Sequence, residues 1–152
     1  MLILALLIGI IAGLRSLAPV AVVSWAAHLG WLQLQGTWLA FLGATITPYV
    51  ATLLALGELV TDKLPTTPSR KTAVPFGARI LMGALCGAAV TARDGASALG
   101  LCLGVIGAVM GTLAGAALRA RLARGFGKDL PAALLEDVIA VGGAILIVSR
   151  FT

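Results

Sequence analysis

Five long apolar stretches, with the charged residues confined to a few points between and inside them, limit the folds open to this chain. A helix that crosses the hydrocarbon core of a bilayer needs about 20 apolar residues. The stretches 2–28, 38–56, 75–91, 96–118 and 130–149 approach or meet that length. None alternates residue by residue between polar and apolar, as a membrane β-barrel strand would. The chain is 60% hydrophobic and 11% charged, and a soluble domain of 152 residues could not bury that much apolar surface. We therefore expect an all-α, polytopic membrane helix bundle, with residues 1–152 as a single transmembrane domain of about five spans. The N-terminal stretch lacks a basic leader and a small-residue cleavage site, so it reads as a retained span and not a cleaved signal.

The loops set the expected orientation. Loop 57–74 carries Lys63, Arg70 and Lys71, and loop 119–129 carries Arg119, Arg121, Arg124 and Lys128. Loop 29–37 has no lysine or arginine, and loop 92–95 has only Arg93, beside Asp94. Basic loops alternate with poor ones, which the excess of positive charge on the cytoplasmic side explains. Five spans then put the N-terminus in the cytoplasm and the C-terminus outside, with Arg150 as the one dissenting charge. The net charge of +5 is thus accounted for by anionic headgroups, with membrane lipids as partners and no nucleic acid.

Several charges fall inside the apolar stretches. In "IIAGLRSLAPVAVV", residues 10–23, Arg15 follows roughly 13 apolar residues, about 20 Å of helix. An arginine near the bilayer centre costs at least about 2.5–3.5 kcal/mol. One helix over 2–28 would also be about 40 Å long, against a core of about 30 Å. Pro19 lacks an amide hydrogen and obstructs the preceding turn, so a helix break is expected at Arg15–Pro19. Broken helices expose backbone groups that an ion or ligand can satisfy. Glu58 and Asp62 lie one helical turn apart, on one face at the end of the second stretch. Glu136 and Asp137 follow Pro131 inside the fifth, about 100° apart around the helix, so one is expected to meet Arg15 or a basic loop residue and the other a cavity or headgroups. Asp129 and Pro131 suit the start of that helix. Arg79 lies early in the third stretch. Two uses of this set stay open: Arg15 pairs with Glu136 or Glu58 to fix helix register, or it serves an anion- or proton-handling site.

Small residues recur four apart: Gly9 and Gly13, Gly83 and Gly87, then Gly100, Gly104, Gly107, Gly111 and Gly115. Such stripes allow helix backbones to approach closely, either within the bundle or at a homo-oligomer seam. "IGIIAGLR" at 8–15 is echoed by "MGTLAGAALR" at 110–119, and each is followed later by an acidic segment, the pattern of a duplicated transporter half. Trp25, Trp31 and Trp38 read as an interfacial aromatic belt, with His28 beside them. Cys86 and Cys102 read as packing residues, and no metal-ligand spacing occurs.

"AGLRSLAPVAVVSWAAHLGWL", "GELVTDKLPTTPSR", "PFGARILMGALCGA" and the closing "LLEDVIAVGGAILIVSRF" resemble an uncharacterised bacterial integral-membrane family, the domain of unknown function 4126. That resemblance implies a membrane protein of the bacterial inner membrane and carries no activity. "RSLAPVAVV" is also locally similar to an Arg-x-x-x-Pro stretch of DedA-type translocases of phosphorylated lipid carriers, a pointer toward phosphate. No hydrolase, zinc-protease, nucleotide or dinucleotide motif is present, and no cofactor or metal is expected. The expected function is a small transporter or channel, not an enzyme. Arg15, Glu58, Asp62, Arg70, Arg79, Glu136 and Asp137 form its substrate- or ion-binding set, for an anionic or phosphate-bearing molecule. The alternatives are a non-transporting scaffold or assembly factor and a protein that handles phosphorylated lipids.

Overall fold

The computed structural model describes residues 1–63 and 71–152. It is all-helical among those residues, with six α-helices: α1 Leu2–Leu14, α2 Leu17–His28, α3 Thr47–Thr61, α4 Ala73–Val90, α5 Ser97–Phe126 and α6 Asp129–Val148. Short 3₁₀ turns follow at Ala40–Gly43, Ala92–Asp94 and Ser149–Phe151. Helices α4 and α5, and α6 with its terminal turn, are long and apolar enough to cross a membrane. Helices α1, α2 and α3 are apolar but shorter, about 18–22 Å each at the helical rise.

The bundle is built inside out relative to a soluble protein. Large apolar side chains point outward, Leu53, Leu81 and Leu146 being 72%, 66% and 69% exposed. The interior is rich in alanine and glycine, with a smaller share of isoleucine, valine and leucine and a few charged groups, and Arg15 is fully buried. Lipid accepts the outer leucines, so burial drives nothing there, and close backbone packing takes its place. Gly9 and Gly107 sit where α1 and α5 cross, and Gly83, Gly87, Gly100 and Gly104 where α4 and α5 cross. A β-carbon at Gly111 would overlap the Ile10 carbonyl oxygen. These glycines pack within the chain, with α5 held between α1 and α4, which is the first of the two uses left open by their spacing. Thr112 completes the contact by donating to the Gly13 carbonyl at 3.2 Å.

The helix break falls within the expected stretch Arg15–Pro19, at its first residues, but its consequence differs from expectation. Arg15 is extended (φ −137°, ψ 118°), α1 ends before it, and Ser16 is the residue that precedes α2. Pro19 is not the break. It is the third residue of α2, where an amide hydrogen would have no intrahelical partner anyway. The chain also turns back at Arg15. Gly9 packs at Gly104 and Gly13 at Ala108–Thr112, so α1 runs parallel to α5. α2 then returns, and His28 reaches the Gly43 carbonyl at the far end while Ser16 meets Glu58 at the near one. Residues 2–28 therefore form a helical hairpin and not one interrupted span. With that extra reversal, both termini lie at one end of the bundle, where opposite sides were expected.

Three further boundaries move. Residues 38–46 form turns and a 3₁₀ segment, and the second apolar stretch becomes helical only at Thr47, with Pro48 in the first turn. Helix α5 runs through Arg119, Arg121 and Arg124, which were expected in a loop, because arginine, alanine and leucine all favour helix. Asp129 is the first residue of α6, not its cap, and its carboxylate faces Arg119.

Two outcomes follow. Gly111→Ala should destabilise the protein by about 1–3 kcal/mol through overpacking, whereas Gly142→Ala, with nothing within 4 Å of the added carbon, should be neutral or stabilise by up to about 1 kcal/mol. Thermal unfolding in mild detergent measures both, and equal effects would contradict the packing described. In a background lacking Cys86 and Cys102, Leu2→Cys and Thr152→Cys should react with an impermeant thiol reagent from the same side of the membrane. Labelling from opposite sides would rule out the hairpin.

Candidate functional site

The hairpin tip brings Arg15 to one end of the bundle, where α3 and α5 end and α4 and α6 begin. Its level can be read from α5. Gly13 packs against Thr112, which is about 22 Å along the helix from Ser97. Arg15 therefore lies within the apolar length of α5 and not beyond it. A guanidinium at that depth requires counter-charges. One amino group of Arg15 contacts the Asp62 carboxylate, and the other lies 2.6 Å from Asp137 Oδ1. One buried side chain thus links the α1–α2 tip to α3 and α6. The partners expected for it, Glu136 and Glu58, are employed elsewhere.

Glu58 is bound by backbone. Its Oε1 accepts from the Ser16 amide at 2.9 Å and the Ser16 hydroxyl at 2.7 Å, and its Oε2 accepts from the Leu17 amide at 2.8 Å. These amides are unpaired donors at the start of α2, where the helix dipole also favours negative charge. No side chain of α2 itself caps this end. A carboxylate 42 residues away does so instead. The arrangement is an anion site at the start of a broken helix, filled by the protein's own anion.

The remaining charges form a second tier. Arg79 of α4 places its guanidinium 3.9 Å from Glu58 and 3.8 Å from Asp62, which confirms that the two acids share a face. It also donates to the Pro75 carbonyl at 3.4 Å. Arg119 of α5 holds Asp129 at 2.6 Å and reaches Glu136 at 3.5 Å and Asp62 at 4.0 Å. Lys63 donates to Asp137 Oδ2 at 2.7 Å and to the Leu59 carbonyl at 2.8 Å. Of the adjacent acids on α6, Asp137 therefore meets Arg15 and a loop lysine. Glu136 meets Arg119 and lines a small cavity between α5 and α6, walled by Leu14, Leu118 and Leu135.

Six of the seven residues singled out in the sequence are gathered here: Arg15, Glu58, Asp62, Arg79, Glu136 and Asp137. Arg70 lies outside the described residues. Ser16, Leu17 and Asp129 also belong to the cluster and were not anticipated there, while Lys63 and Arg119 are basic residues of the kind expected to meet Asp137 or Glu136. The backbone donors of Ser16 and Leu17 leave no trace in side-chain chemistry. Arg119 did leave a signal. It ends the segment that echoes the one ending in Arg15, and the two helices carrying those segments run parallel to the same cluster.

The bonding pattern predicts a graded response. Ser16→Ala removes one of three hydrogen bonds to Glu58 and should cost about 1 kcal/mol. Glu58→Ala strips both amides of their acceptor and leaves Arg79 short of a counter-charge, for about 3–5 kcal/mol. Similar losses for the two variants in thermal unfolding would show that the carboxylate does not cap α2.

Comparison with known proteins assigns a family and no activity. No curated protein and no solved structure matches the chain. The profile of one family matches residues 2–150, covering all six helices and every residue of the charged cluster. The chain therefore belongs to the family described as Domain of unknown function (DUF4126).

Proposed function

We propose that this protein is a small multi-pass transporter or channel of the bacterial inner membrane, with the Arg15 cluster as its working site and an anionic or phosphate-bearing solute or ion as its substrate. The observation that carries the reading is the Glu58 carboxylate seated on the N-terminus of α2, at membrane depth, beside Arg79. Half-helix N-termini at the midplane are where transporters bind anionic groups. Glu58 is then an internal stand-in. A substrate anion takes its position when Glu58 swings away, and the amides of Ser16 and Leu17 receive the new anion in its place. Arg15 and Arg79 supply the positive field, while Asp62, Glu136 and Asp137 keep that field from holding the substrate too tightly. No covalent step is involved, so the reading is not that of an enzyme. The basic end, with Lys63, Arg121, Arg124 and Lys128, faces the cytoplasm on the positive-inside rule, and both termini face outward.

A scaffold is the second reading, favoured by the full burial of Arg15 against two carboxylates. On that reading the charges only lock the hairpin tip to α3 and α6.

Uptake into proteoliposomes separates the two. With labelled inorganic phosphate and succinate as probes, the transporter reading expects saturable uptake above protein-free liposomes. It also expects uptake to fall about tenfold or more in Arg15→Lys and Glu58→Gln preparations that remain monodisperse. Uptake no faster than in protein-free liposomes for both probes would leave the scaffold.

A further inference from the structure

At the opposite end of the bundle, the C-terminus of α2, the segment 30–44 and the turn at Ala92–Arg93 enclose a cavity of about 800 Å³. That volume suits a ligand of metabolite size. Its polar lining includes His28, Gln33, Gln35, Thr37 and Arg93. The walls are held from behind. The amides of Trp31 and Leu32 both donate to the Ala26 carbonyl, at 2.9 and 3.1 Å. The Thr37 hydroxyl donates to the Leu34 carbonyl at 2.7 Å and accepts from the Leu39 amide at 3.2 Å. Leu32, Leu34, Leu39 and Leu42 are buried. Around Gln33 and Gln35 the side chains alternate: the leucines anchor the segment in the core, and the amides between them are left exposed at the cavity.

Three side chains of this lining, Gln33, Gln35 and Arg93, keep their bonding capacity among the described residues. In the charged cluster Arg15, Lys63, Arg79 and Arg119 each have a carboxylate partner. Arg93 has no ion pair or side-chain hydrogen bond among the described residues, and neither Gln33 nor Gln35 has a side-chain bond. His28 uses Nδ1 at the Gly43 carbonyl, 3.2 Å away, which leaves Nε2. A planar guanidinium with all its donors available is suited to a carboxylate or phosphate, which it can engage in a bidentate fashion. Primary amides both donate and accept, as a ligand with hydroxyl or carbonyl groups requires. No carboxylate lines the cavity.

We infer that this cavity is a binding site for a small molecule bearing an oxyanion, a carboxylate or phosphate. Arg93 holds the charge, and Gln33 and Gln35 bind its other polar groups. The site stands apart from the charged cluster and does not depend on the transport reading. A free metabolite and a lipid headgroup present the same phosphate chemistry, and the experiment distinguishes them.

The test uses the full chain in mild detergent at constant ionic strength. Thermal unfolding is followed against citrate, glycerol 3-phosphate and, as a neutral control, glycerol. A parallel arm compares phosphatidylglycerol with phosphatidylcholine in mixed micelles. Bound ligand raises the melting temperature by mass action. We expect a saturable rise with citrate or glycerol 3-phosphate and none with glycerol. Apparent affinity should weaken about tenfold or more in Arg93→Ala and in the double variant Gln33→Ala/Gln35→Ala. Arg93 and both glutamines are exposed, so these variants should melt at the wild-type temperature without ligand. A rise confined to phosphatidylglycerol and lost in Arg93→Ala supports the site and assigns it a lipid headgroup. No shift with any of the anions, or a shift unaltered by Arg93→Ala, overturns the inference.

Discussion

The contact between Arg15 and Asp62 is the one on which the rest of the architecture depends. Asp62 stands at the C-terminal end of α3, where the helix dipole disfavours a carboxylate. It is held there by guanidinium groups from three other elements: Arg15 at the hairpin tip, Arg79 of α4 and Arg119 of α5. Arg15 in turn cannot be buried without Asp62 and Asp137. Each group would be prohibitively costly alone at this depth, and each is tolerated because the others are present. Five of the six acidic residues of the chain converge on this one end of the bundle, and only Asp94 lies elsewhere.

Convergence of that kind requires helices that stand unusually close. The tip of α1 reaches the acids of α3 and α6 only because α1 lies directly on the backbone of α5, glycine against glycine, with no side chain between them. Leucines on the outer faces contribute little to holding the helices together in lipid, so the small residues and the ion pairs share that role. The interior is therefore narrow at the glycine level and charged at one end. The break at Arg15 is what allows a polar tip to enter it. Glu58 completes the design by satisfying the backbone donors that the break creates, which otherwise would face a low-dielectric interior.

Much of this is legible in the sequence, for identifiable reasons. Apolar length marks α4, α5 and α6, because hydrocarbon thickness fixes the number of residues required. An arginine after 13 apolar residues marks the break, since no continuous span tolerates it cheaply. The four-residue spacing of glycine marks the close crossings. What escapes is direction. An apolar stretch of 27 residues reads the same whether it crosses once with a kink or turns back on itself, and that ambiguity alone reverses the end of the bundle at which the N-terminus lies. Pro19 draws attention to itself as a breaker, yet proline is comfortable in a first turn, and the true break lies at the charged residue before it. Lys63 and Arg119 read as loop charges because hydropathy ends at the apolar boundary, whereas helical structure and ion pairing continue past it. Glu58 is visible as a displaced charge. Its partners are not, since main-chain donors belong to the fold and not to any residue type.

Arg15 and Asp62 are coupled across the bundle and hold the hairpin tip in place. A double-mutant cycle on Arg15→Met and Asp62→Leu, read by unfolding in mild detergent, measures that coupling directly. If the pair is joined as described, each single change strands a buried charge and the double change costs well under the sum of the two, with a coupling energy of about 1.5 kcal/mol or more. Additive losses, within about 0.5 kcal/mol, would mean that the two side chains do not meet in the folded protein and would contradict the account.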